Sequence, residues 1–178
     1  MTFGITRIVE KRKFLIIDRD FEAIGKCSSL KWLEIYKSPS PEFYEWRNVP
    51  LDYLKLMRGN FPELGNIGQL KPLDRFMVAG CRKFERFTGE NSSVRWLEVY
   101  SCRHFDTRSL NTLQGLEHLT IDDCASEIVL SDLPEHPTIC TLGLSSCKVH
   151  ADVDDIKKIM PMLEKISVPE ITKDFTSS

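Results

Sequence analysis

Six cysteines and four histidines are the side chains here best suited to nucleophilic, redox or metal chemistry near neutral pH. Zinc sites usually announce themselves by close ligand pairs such as C-x-x-C, yet the closest cysteines, Cys140 and Cys147, are seven apart. Four of the six keep a period instead, with Cys81, Cys102, Cys124 and Cys147 separated by 21, 22 and 23 residues. Such a ladder is a packing feature, in which each thiol is a small buried side chain with a weak donor. Cys27 and Cys140 lie off the ladder and read as small buried residues rather than nucleophiles. Among the histidines, His118 with Asp122 offers a base and its orienter, and Thr141 and Ser145 are the nearest hydroxyls. His104, His136 and His150 fall in loops without metal spacing. Gly59, Gly65 and Gly68 match neither phosphate-binding glycine pattern. The expectation is therefore no metal, no cofactor and no enzyme, with hydrolysis through His118 and Asp122 as the lesser alternative.

The cysteine period belongs to a larger one. Leu30, Leu33 and Ile35 spell L-x-x-L-x-I. The pattern returns as Leu51, Leu54, Leu56; Leu73, Phe76, Val78; Val94, Leu97, Val99; Leu116, Leu119, Ile121; Ile139, Leu142, Leu144; and Leu163, Ile166, Val168. Successive copies start 21, 22, 21, 22, 23 and 24 residues apart. The last two apolar residues of each triplet are two apart, so on a strand they share one side. A strand this short cannot bury that side alone, but copies paired in parallel line up their inward residues as one core. Each ladder cysteine falls three residues after the last apolar residue of its triplet.

Over residues 30 to 169 the chain resembles leucine-rich-repeat proteins, whose period is roughly 20 to 29 residues. The resemblance implies an α/β solenoid with a parallel β-sheet on its concave face and short irregular or helical convex segments. It also implies that the cysteine place, usually Asn or Cys in that family, lies inside the turn leaving each strand. Ser38, Gly59 and Ile171 depart from it in the first, second and seventh copies. The expected organisation is an N-terminal cap over 1–29, repeats over 30–169 and a tail over 170–178, frayed from Thr172. Ile5 to Ile17 suggests a hairpin or extra strand in the cap. Asp106 to Leu113 suggests one helical turn, and Ala151 to Met162 has helical spacing in Val153, Ile156, Ile159 and Met160.

On strands of this register the outward residues include Trp32, Tyr36, Tyr53, Lys55, Met57, Arg75, Trp96, Glu98, Tyr100, His118 and Asp122. Aromatic residues, Met and Arg are the types enriched at protein interfaces, so these eleven are the candidate partner-binding residues. Their plainer role is cross-strand pairing, which contributes about 0.2 to 1 kcal/mol per pair. No Lys or Arg occurs between Arg108 and Lys148, whereas Glu117, Asp122, Asp123, Glu127, Asp132 and Glu135 do. That stretch repels nucleic acid and favours a folded, basic protein partner. Composition agrees with a water-exposed domain: 28% of residues are charged, and no apolar run reaches the roughly 18 residues a membrane span needs. Met1 to Phe14 carries five charged residues and no apolar core, so a cytoplasmic location is expected. The chain also resembles the immunity proteins that bacteria hold against delivered toxins. That implies an inhibitor of a toxin, with a basic nuclease as the suitable target, and an adaptor or scaffold as the alternative.

Overall fold

In the computed structural model, residues 14–17, 21–37, 46–65, 67–70, 72–124, 127–150, 155–169 and 171–174 are described. Each apolar triplet ends in a short strand because alternation puts its last two apolar residues on one side. In chain order the strands are β1 (Phe14–Ile17), β2 (Trp32–Tyr36), β3 (Tyr53–Met57), β4 (Glu63–Leu64), β5 (Arg75–Ala79), β6 (Arg86–Phe87) and β7 (Trp96–Tyr100). They continue as β8 (His118–Asp122), β9 (Ile128–Val129), β10 (Thr141–Ser145), β11 (Val149–His150), β12 (Lys165–Val168) and β13 (Ile171–Asp174). Nine of them form one sheet in the order β1-β2-β3-β5-β7-β8-β10-β12-β13, parallel throughout except for the last pair. The expected mostly parallel sheet with few helices is what forms.

Register keeps the triplets in phase. Leu33, Leu54, Phe76, Leu97, Leu119, Leu142 and Ile166 are successive lateral partners on the inward side, and all are buried. Ile35, Leu56, Val78, Val99, Ile121 and Leu144 make the second inward column. Behind the sheet, rings close the core: Phe84 stacks on Phe105 with centroids 5.6 Å apart, and Phe87 meets both edge-on. Two small parallel pairs, β4 with β6 and β9 with β11, run on that other side of the core. Burying each such Leu, Ile or Phe contributes about 1.5 to 3 kcal/mol before entropy is charged against it.

The chain leaves each of six consecutive strands by one device. Lys37, Arg58, Gly80, Ser101, Asp123 and Ser146 occupy the same register, and all have φ between +50 and +64°. Five of their amides donate to the carbonyl one copy on, from Lys37 N–H to Met57 at 2.8 Å through to Asp123 N–H to Ser145 at 3.1 Å. The ladder cysteines then satisfy inner carbonyls, their thiols lying 3.8 to 3.9 Å from the oxygens of Leu56, Val78, Val99 and Ile121 of the preceding copy. Gly59 takes the cysteine place in the second copy because a Cβ there would stand 2.1 Å from the Phe61 ring, which fills the space. Its amide donates instead to Cys81 Sγ at 3.2 Å. None of the six cysteines forms a disulfide among the described residues.

Two buried polar side chains tie the loops together in the same way. Asn91 donates through Nδ2 to Ile67 and Leu70 carbonyls at 2.8 and 3.2 Å, while its Oδ1 accepts from Ser93 and Val94 amides. His136 Nε2 lies 3.0 Å from the Leu113 carbonyl, so that nitrogen carries the proton. Burial holds the imidazole below its ordinary pKa, so it is neutral.

At the ends the outcome differs from expectation in part. β1 is the extra cap strand, parallel to β2, and a 3-10 helix follows at Phe21–Lys26; residues 5–13 of the expected hairpin lie outside the described residues, as does Ser38. Residues from Thr172 to Asp174 are not a frayed tail but part of β13, which pairs antiparallel with β12 and covers the final parallel edge. Ile171 opens that strand, so the seventh copy has no turn equivalent to the cysteine turns. The helix α1 spans only Ile156–Ile159, with Met160 as its C-cap, and Val153 lies outside the described residues. The helical turn near Asp106 forms as a 3-10 helix over Thr107–Thr112, capped by the Asp106 side chain accepting from Arg108 N–H. Among the described residues no helix is long and apolar enough to cross a membrane.

Candidate functional site

The outward side of the sheet carries three columns, because residues between and around the inward pairs point away from the core. All eleven candidate residues stand in these columns. Trp32, Tyr53, Arg75, Trp96, His118, Thr141 and Lys165 are successive partners in the first column. Lateral pairing brings their side chains into one row. Trp32 stacks on Tyr53 with centroids 3.9 Å apart, and its indole N–H donates to Glu34. The Arg75 guanidinium lies 4.9 Å from the Trp96 ring centre, and Trp96 packs on His118 at 4.4 Å. His118 Nδ1 meets Thr141 Oγ1 at 2.8 Å. Trp32 remains 39% exposed, whereas Tyr36, Tyr53, Trp96 and Tyr100 are half-buried.

Lys55 and Glu98 belong to the second column with Glu34 and Met77; Tyr36, Met57, Tyr100 and Asp122 belong to the third. Burial, aided by Glu34 and Glu98 and opposed by Arg75, pushes the Tyr53 phenol up to about 12. Burial, with Glu98 and Asp122, also raises Tyr100. Both hydroxyls therefore stay neutral donors, and Tyr53 OH lies 3.9 Å from Met77 Sδ. Asp122 Oδ1 is buried and has no hydrogen-bond partner among the described residues.

The structure does not pair His118 with Asp122. Four residues along one strand separate the two by about 13 Å, too far for a base and its orienter. His118 is instead held between the Trp96 ring and the Thr141 hydroxyl.

Sequence reasoning missed the edge where the strands end. Arg58, Arg82 and Arg103 come together there from three successive copies. A signal existed, since the residue after Cys81 and after Cys102 is Arg in both copies. Asn91 and His136 were missed likewise, although each stands three residues before the first apolar residue of its triplet.

No protein-family model matches the chain, and a search of the curated proteins finds none that matches it.

Proposed function

We propose that this chain is a leucine-rich-repeat-type solenoid that acts by binding, its outward sheet face docking a folded protein without catalysing a reaction. The observation that carries this reading is the continuous row Trp32, Tyr53, Arg75, Trp96, His118, in which large side chains lie against one another on a face turned to solvent. Rows of this kind are rigid before they bind, so little side-chain entropy is lost on association. Trp and Arg are also the usual anchors of interfaces.

The C-terminal part of the face, with Asp122, Asp123 and neighbouring acids, suits a basic region of the partner. An inhibitor that covers a basic enzyme such as a nuclease toxin from the cytoplasm is the version of this reading with the best charge match. An adaptor that recognises a signalling or ubiquitination partner would use the same face. The separation of His118 from Asp122 weighs against the hydrolytic alternative.

The test is capture from lysate of the cells that make the protein, followed by calorimetry with the captured partner. Trp32→Ala combined with Trp96→Ala should weaken the complex by more than about 2 kcal/mol while the circular dichroism spectrum is unchanged. Equal affinity for the variant and the natural chain would overturn the docking face.

A further inference from the structure

At the edge where the strands end, Arg58, Gly80, Arg82, Ser101, Arg103 and Asp123 bound a groove of about 620 Å³. We infer that this groove binds an acidic peptide segment of the protein partner, its carboxylates held by Arg82 and Arg103. The inference rests on the protein-binding reading above and adds a second contact to it.

Ion pairing separates these arginines from four others. Arg75, Arg86, Arg95 and Arg108 each have a carboxylate partner within 4 Å. Arg82 and Arg103 are exposed and make neither an ion pair nor a hydrogen bond among the described residues. Arg58 donates to Tyr36 OH and lies 5.2 Å from that ring's centre, which leaves most of its five donors unused among the described residues. Copies of a parallel sheet stack about 4.8 Å apart, which sets Arg82 and Arg103, equivalent residues of adjacent copies, side by side along the groove. The left-handed strand exits turn the chain at one register, so the residues that follow Cys81 and Cys102 fall at equivalent places. Gly80 makes the same exit at φ +64°, a backbone conformation that glycine adopts without strain.

The far end decides between kinds of anion. Asp123 closes the groove one strand spacing beyond Arg103, two beyond Arg82 and three beyond Arg58, and its Oδ2 accepts from Ser101 Oγ at 2.7 Å. A nucleic-acid backbone, negative along its whole length, would meet that carboxylate. A peptide can place glutamate or aspartate side chains on the arginines and an N–H donor beside Asp123. Carboxylates match the guanidinium fork as phosphates do, so the choice between them rests on Asp123.

The experiment titrates the full ¹⁵N-labelled chain with a tetraglutamate peptide blocked at both ends. Saturable shifts are expected at the Gly59, Gly80 and Ser101 amides, weakening as salt is added. Arg82→Ala with Arg103→Ala should lower that affinity about tenfold. Arg86→Ala with Arg95→Ala removes the same net charge elsewhere and should leave the affinity within about twofold. Absence of saturable shifts, equal losses in the two double variants, or tighter binding of inorganic phosphate or oligothymidylate at these amides would each overturn the inference. Such a result would leave the calorimetric tryptophan test standing, because the groove and the tryptophan row are probed separately.

Discussion

The N-terminal four copies and the C-terminal three share one backbone ladder and one pair of inward columns, yet they present opposite surfaces. The first offers Trp32, Tyr36, Tyr53, Arg75, Trp96 and Tyr100 with Arg58, Arg82 and Arg103 at its edge; the second offers Thr120, Asp122, Thr141, Gly143 and Ser145. The difference teaches that scaffold and surface are written on alternate residues. Inward residues must suit their lateral neighbours in volume, whereas outward ones are free to vary from copy to copy.

The comparison can be broken most forcefully at the core. Leu97→Ala and Leu119→Ala, one in each region and both buried, should each lower stability by about 2 to 5 kcal/mol in urea unfolding. A large cost in one region and a negligible one in the other would mean that the core is not shared. On the outward side the regions should part company. Against the loss expected from the tryptophan pair, Thr120→Ala with Ser145→Ala should change partner affinity by less than about 1 kcal/mol; a comparable loss would move the energetic centre of the interface to the polar region.

Smaller effects sharpen the picture of the loops. His136→Ala should cost about 1 to 3 kcal/mol at pH 7.5, because it strips a hydrogen bond from the buried Leu113 carbonyl. The natural imidazole is held below its ordinary value near 6.5, so the unfolded chain takes up its proton first as pH falls. Stability from this group is thus complete above pH 6.5 and declines on acidification, a dependence that the variant should lose. Cys124 has the reverse sign. Burial pushes Cys124 from its ordinary 9.0 up to about 11, so its contribution is complete below pH 9 and is lost as pH rises through 11. Denaturant titrations at pH 8 and pH 10.5 should show that loss in the natural chain and a smaller one in Cys124→Ala.

Much of this was legible before any coordinates. The strand segments, the side of each residue and the in-phase cysteines follow from a period of two inside a period of about 22, and both periods lie along the chain. The ends were harder to read. Nothing local distinguishes Ile171 to Asp174 from a loose tail, and these residues become a strand only because β12 presents an unpaired edge. His136 reads as an ordinary loop residue until the carbonyls of the neighbouring copy surround it. His118 and Asp122 look like neighbours at four residues' separation, but strand geometry pulls them apart.

By itself, then, the sequence determined which side chains face the core and which face outward, because alternation along a strand is a property of consecutive residues. Only the tertiary structure decided which outward residues touch. Trp96 rests on His118, and Arg58, Arg82 and Arg103 share a groove, because lateral pairing sets residues 21 to 24 apart side by side. That adjacency depends on strand register and on where each left-handed exit turns the chain, and neither can be read from one copy alone.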